Sequence, residues 1–200
     1  MESQLGADIW VLSKYKDNYK GFFIDIGAAD GHVISNTCLL DLNGWKGIAI
    51  DAFPRNFEKR ANTIVEQAVL SSKKDEIVEF LVPKEHRDFS GIISNLGAHK
   101  DTLNMVETET MQLKTSLLED VLIKHNVPYK IDYMNLDIEG SEYEVLKTFP
   151  FDKYKIMYIS VEHNHEEPKR TDIYNLLSKN GYFREKEVQW DDWYAHISVL

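Results

Sequence analysis

The sequence predicts an α/β domain built on a mostly parallel, doubly wound sheet with an antiparallel hairpin at one edge. Three observations predict it. Short apolar segments alternate with helical ones along most of the chain. Three of these segments end in an acid or a glycine, as strands do when they open onto a ligand cleft. The last two β-rich segments lie too close together for a crossover helix.

Phe22 to Ile26, ending at Gly27, and Gly47 to Asp51 read as buried parallel strands. Between them Ser35 to Asn43 reads as a helix, with N-cap oxygens on Ser35, Asn36 and Thr37 and Gly44 in place to end it. Pro54 to Arg60 is expected to be helical, with Pro54 near its first turn. Thr63 to Leu70 reads as a third strand region and Ile77 to Val82 as a short strand. Residues 83–101 read as a long loop, expected to contact substrate. Ser116 and Glu119 form a capping-box pattern for a helix to His125. Ile131 to Asp137 is a strand ending in an acid, and Ser141 to Phe149 a helix. Ile156 to Val161 is a strand, and Lys169 to Asn180 a helix stopped by Gly181. Tyr182 to Val188 and Trp193 to Val199 form the closing hairpin. Residues 1–20 read as a helical or irregular leading segment, and 1–200 as one domain.

Composition excludes several classes. Hydrophobic residues make up 43% and charged residues 28%, as in globular proteins, so disorder is not expected. The net charge of -10, with basic clusters only two residues long, argues against nucleic acid and anionic membrane surfaces as partners. Cys38 is the only cysteine, which fits a reducing compartment. Met1 to Trp10 does not read as a signal peptide, and no apolar run reaches the roughly 18–20 residues of a membrane span. A cytoplasmic protein is the expectation.

Four motifs carry chemistry. In Asp25-Ile26-Gly27-Ala28-Ala29-Asp30-Gly31, two glycines let backbone approach a ligand at the end of the first strand. The Gly-x-x-x-Gly spacing differs from that of dinucleotide binders. Asp25 and Asp30 would repel a pyrophosphate and favour a cationic sulfonium, which points to S-adenosylmethionine rather than NAD. Asp51 ends the second strand, where an acid accepts hydrogen bonds from ribose hydroxyls. Asp137, Glu139 and Glu142 follow the strand expected beside the first. They would orient a substrate hydroxyl, bind an amine or hold a divalent cation, although Glu142 alone reads as a first-turn acid. In Glu162-His163-Asn164-His165, His163 is the candidate general base. Alternatively it joins Asp137 and Glu139 as a metal ligand, or the segment is a solvated loop.

Together these segments resemble the FkbM family of methyltransferases, from about Phe22 to Trp193. The resemblance is carried by Phe23 to Ala28, Ser35 to Thr37, Gly44 to Gly47, Asp137 to Glu142, Val161 to Asn164 and Gly181-Tyr182. It implies a Rossmann-like class I methyltransferase fold with a seven-stranded sheet. It also implies transfer of the S-adenosylmethionine methyl group, usually to a hydroxyl on a sugar or secondary metabolite. By that similarity Asp25, Gly27 and Gly31 sit at the cofactor loop, and Asp137 lies near the methionine end. Where the family commonly has glutamate-proline after the second strand, this chain has Asp51-Ala52.

The sequence reading is thus an O-methyltransferase acting on a small hydroxylated acceptor, a carbohydrate above all. His163 and Asp137 are its expected catalytic residues. Its expected cofactor set is Asp25, Gly27, Ala28, Asp30, Gly31, Asn36, Thr37, Asp51, Ala52, Gln67, Ala68 and Asp137. Trp190 and Trp193 either stack on a sugar, fill the core or face a partner in a homodimer. An NAD-binding oxidoreductase and a catalytically silent Rossmann-like module are the competing readings.

Overall fold

In a computed structural model, described for residues 3–85, 87–97, 100, 103 and 105–200, the chain forms two sheets. The strands are β1 (Phe22–Ile26), β2 (Lys46–Asp51), β3 (Thr63–Gln67), β4 (Val69–Leu70), β5 (Ile77–Pro83), β6 (Gly91–Ile92), β7 (Thr108–Ser116), β8 (Lys130–Leu136), β9 (Lys155–Glu162), β10 (Tyr182–Val188) and β11 (Asp191–His196). The helices are α1 (Ala7–Leu12), α2 (Cys38–Leu42), α3 (Leu118–Lys124), α4 (Glu142–Leu146) and α5 (Lys169–Lys179).

The main sheet has seven strands in the order β10-β11-β9-β8-β1-β2-β3. Five adjacent strands, from β9 to the edge strand β3, are parallel, and the β10–β11 hairpin adds antiparallel to β9. The chain leaves β1 for β2 on one side and reaches β8 on the other. The switch point therefore lies between β1 and β8, where a ligand crevice is expected. Adjacent residues of a strand face opposite ways. Ile24 packs in a core cluster with residues of α3, α4 and α5, whereas Phe23 packs in another with Ala7, Trp10 and Val11 of α1 and Leu40 of α2.

A second sheet, β4-β7-β5-β6, is not expected from the sequence: of its longer strands only β5 matches an expected strand, and β7 up to Thr115 falls outside every expected element. Exposed polar residues alternate with partly buried Met111 and Leu113, so no apolar run announces it. The expected Thr63–Leu70 strand is divided between the two sheets. Ala68 sits at the break and donates to the Asp51 carbonyl at 2.9 Å.

Other expectations need correction. Pro54 to Arg60 is not helical. Arg55 instead pairs its backbone with Ala29 and Gly31 at 3.0 and 2.9 Å, and Arg60 is drawn inside to bond Gly31 and Thr37. The capping box is absent: Ser116 belongs to β7, Leu117 precedes α3, and Glu119 pairs with Lys153. The helix after β1 is shorter than expected because Ser35 accepts the N–H groups of Thr37 and Cys38 in a turn before α2. In the 83–101 loop, Arg87–Phe89 is a 3-10 turn and Gly91–Ile92 is β6; residues 86, 98, 99 and 101 lie outside the described set. Ile197–Val199 is a 3-10 turn rather than strand.

Candidate active site

The switch point is held open by two chain turns in contact. Gly27, at φ 81°, ends β1, and its N–H reaches the Ile50 carbonyl of β2 at 2.9 Å. Across the crevice the Asp137 N–H bonds the Ile26 carbonyl at 2.9 Å. A Cβ on Gly27 would lie 1.5 Å from the Asp137 carbonyl oxygen. Glycine is thus required here by close chain packing as well as by its backbone angle. Gly31 has a related role, since its Cβ would lie 2.9 Å from the Asn56 carbonyl and the Phe57 ring.

Two connected chambers flank this point, both lined by Gly27, Asp88, Asp137 and Glu139. The narrower, about 520 Å³ with its open mouth, has an apolar side and a polar side, the latter formed by Asp51, Arg87, Asp88, Ser90 and Glu139. Ile50, Ala52, Ala68, Leu70, Phe80 and Ile92 face it, so the second sheet supplies one wall. Asp51 stands at its edge. Its Oδ2 accepts from Ala29 N–H at 2.9 Å and its Oδ1 from Phe53 N–H at 2.6 Å, which fixes the carboxylate and leaves each oxygen further lone pairs. An apolar wall beside an anchored carboxylate fits a nucleoside: a ring against the side chains and ribose hydroxyls donating to the acid.

The wider chamber, about 950 Å³ with its mouth, is acidic. Asp25, Asp30, Asp88, Asp137, Glu139 and Glu162 line it, and none of its described lining residues is a lysine or arginine. Asp25 is fully buried. It accepts from Thr37 Oγ1 at 2.6 Å and Asn135 Nδ2 at 3.0 Å, while burial pushes its carboxyl up. Asp30 knits the following loop together by accepting from His32 and Val33 N–H and from Asn56; these bonds outweigh burial and hold its carboxyl low. Carboxyl oxygens of Asp137, Glu139 and Glu162 lie within 4.8 Å of one another. Burial, with Asp191 nearby, pushes the Asp137 carboxyl up to about 7, and burial beside Asp137 pushes Glu139 up to about 9. Protons shared within the cluster relieve like-charge repulsion.

His163 stands apart from this cluster. It lines a small neighbouring pocket with Glu142, Lys169 and Ile173, its Nδ1 accepts the His165 N–H at 3.0 Å, and its Nε2 lies 3.5 Å from Asp192 Oδ1. The expected grouping of Asp137, Glu139 and His163 about a cation is therefore not formed; Glu162 takes the place of His163. An acidic cluster alone does not make a cation site, and no cation enters the reaction below. Glu142 is inward as well: its Oε1 accepts from Ile138 and Gly140 N–H at 2.9 and 3.1 Å and braces the turn that presents Asp137.

The two tryptophans part company. Trp193 stacks on Trp10 at 4.8 Å in the core. Trp190 is half-buried on the wall of the wide chamber, and its carbonyl accepts the His163 and Asn164 N–H groups.

Against this geometry, the sequence matches the Methyltransferase FkbM domain over residues 25–183. The chain belongs to the FkbM methyltransferase family. Membership in it implies S-adenosylmethionine as methyl donor, and the slot-and-carboxylate geometry fits that nucleoside. No curated protein matches the chain. Among solved structures, a protein described as a ribosomal RNA methyltransferase from Plasmodium falciparum is 13% identical, with a TM-score of 0.47 covering 98% of this chain and 97% of that one. The N-terminal domain of human METTL16 is 14% identical, with a TM-score of 0.42 covering 96% and 67%.

Of the residues expected to touch the cofactor, this FkbM chain brings Asp25, Gly27, Ala28, Asp30, Asn36, Asp51, Ala52, Ala68 and Asp137 onto the chamber walls. Gly31, Thr37 and Gln67 are not on those walls. Thr37 is buried against Asp25, and Gln67 is exposed and donates to the Ala52 carbonyl at 2.9 Å. The sequence did not single out Phe80, Asp88 or Ile92, and it gave Glu162 only a supporting part. Asp88 and Ile92 lie in the 83–101 loop, which the sequence marks only as a whole, as a long loop expected to contact substrate.

Proposed function

We propose that this protein methylates a hydroxyl of a small uncharged acceptor, a carbohydrate hydroxyl fitting best, with Asp137 as the proton acceptor. The observation that carries this reading is the wide chamber: carboxyls of Asp137, Glu139 and Glu162 within 4.8 Å, next to the nucleoside slot, with no described lysine or arginine on its walls. Phosphates and carboxylates would find no described cation to pair with there, and hydroxyls can both donate to and accept from a carboxyl cluster.

When bound, S-adenosylmethionine supplies an electrophilic methyl group and leaves as S-adenosylhomocysteine. Asp51 would accept from the ribose hydroxyls, and Ala52, Ala68, Phe80 and Ile92 would hold the adenine. Asp25 and its neighbours favour the positive sulfonium and amine. A neutral hydroxyl is a weak nucleophile. Asp137, raised to about 7, is poised to take its proton as the new carbon–oxygen bond forms. Glu162 and Glu139 hold the acceptor hydroxyls in line. His163 is a positioning residue: with Asp192 it fixes the 162–165 loop so that Glu162 and Asn164 face the chamber.

The test is methyl transfer from S-adenosylmethionine to a panel of neutral sugars, amines and RNA oligonucleotides, scored by product mass. Methylated neutral hydroxylated compounds support the reading; transfer only to RNA or to amines overturns it.

A further inference from the structure

The mouth of the wide chamber differs from its floor. Val33 and Ile34 are 65% and 56% exposed, and Phe89 is 44% exposed; all three line this chamber together with half-buried Trp190. A cluster of large apolar side chains left in water beside a polar cleft marks a ligand surface, since scattered single residues would not converge on one opening.

The loop that presents them is built rather than loose. Asp30 Oδ1 accepts from His32 and Val33 N–H at 2.8 and 2.9 Å, and Ser35 Oγ accepts from Thr37 and Cys38 N–H. Buried Arg60 ties Gly31 and Ser35 to its guanidinium at 2.9 and 3.3 Å. Within that frame Ile34 sits at φ 49°, a left-handed conformation that is strained for a β-branched residue. Burial does not repay the strain, because the side chain stays exposed at the mouth. Fixed strain that presents a side chain to a cleft points to use of that side chain.

Building on the methyl-transfer reading, we propose that the acceptor is amphipathic: an uncharged hydroxylated head enters the acidic floor, and an attached aliphatic or aromatic group lies on Val33, Ile34, Phe89 and Trp190. A free sugar would use only the floor. A glycoside of an apolar alcohol would use both surfaces, and an anionic head would lose its hydration on a floor whose described lining offers no cation to pair with it.

The experiment uses the whole protein saturated with S-adenosylhomocysteine. The dissociation constants of D-glucose, n-octyl β-D-glucoside and n-octyl phosphate are measured below micelle-forming concentrations. The glucoside is expected to bind at least about tenfold tighter than either other probe, the return from covering a few methylenes. That advantage should vanish in the double variant Val33→Ser, Ile34→Asn, while S-adenosylhomocysteine affinity stays unchanged. Both substitutions fall on exposed side chains, and asparagine tolerates the left-handed backbone. Equal binding of glucose and glucoside, an advantage that survives the double variant, or octyl phosphate matching the glucoside would each overturn the proposal. Failure of the wild-type protein to bind S-adenosylhomocysteine would instead overturn the methyl-transfer reading beneath it.

Discussion

Gly27 and Asp137 meet so closely that a Cβ on the glycine would lie 1.5 Å from the aspartate carbonyl oxygen. This contact joins the ends of β1 and β8 and places both chambers around one point. Gly27→Ala would have to break it while also straining a backbone at φ 81°. The expected cost is about 4 kcal/mol of stability, measured by urea unfolding, together with loss of nucleoside binding. A variant of near wild-type stability would show that the contact is not needed.

Asp137→Asn keeps the shape of the carboxyl and removes its basicity. Turnover should fall by at least about 100-fold, with S-adenosylhomocysteine affinity nearly unchanged. In the wild type, kcat/KM should rise with pH and level off above about 7, because the base acts only when ionised. The variant should lose that limb. A pH profile of unchanged shape in the variant would assign the limb to another group.

The same cluster sets a stability trend. The folded Glu139 carboxyl keeps its proton up to about 9, whereas the unfolded chain releases it in the ordinary glutamate range. The folded state therefore holds more protons across that window, and stability falls as pH rises through it. Thermal unfolding should show this decline, and Glu139→Gln should flatten it. Near pH 8 the variant should be the more stable protein by at least about 1.4 kcal/mol.

His163 and Asp192 form the anchor of the 162–165 loop. Burial acts to raise the Asp192 carboxyl, but the neighbouring His163 ring and bonds from Arg170 and Arg184 hold it well below the usual carboxylate range. Asp192→Asn should cost about 2 kcal/mol, less than a fully buried pair because both arginines are partly exposed. His163→Gln should lower stability while reducing turnover far less than Asp137→Asn does. Comparable losses of turnover in the two variants would restore His163 as the base.

Much of the main sheet was legible in the sequence because parallel strands covered on both faces read as continuous apolar runs, as in Phe22 to Ile26 and Gly47 to Asp51. Their ends carried Gly27, Asp51 and Asp137, so the crevice followed from strand order. The second sheet was hidden because β7, from Thr108 to Ser116, is mostly polar, with only Met111 and Leu113 as apolar residues. Pro54 to Arg60 misled because its backbone partners, Ala29 and Gly31, lie far away in sequence. His163 was legible as a residue near the cleft but not by direction. Left-handed angles at Asn164 and His165 turn the loop, and Asp192, nearly thirty positions on, takes the ring. Spacing alone carries no sign of either.

The most direct measurement is calorimetric titration of the protein with S-adenosylhomocysteine and with NAD, on the wild type and on Asp51→Ala. Binding of S-adenosylhomocysteine to the wild type, weakened at least about tenfold in Asp51→Ala, with no heat from NAD, is the expected result. Binding of NAD alone, or no binding of S-adenosylhomocysteine to the wild type, would contradict the assignment of this crevice to a methyl donor.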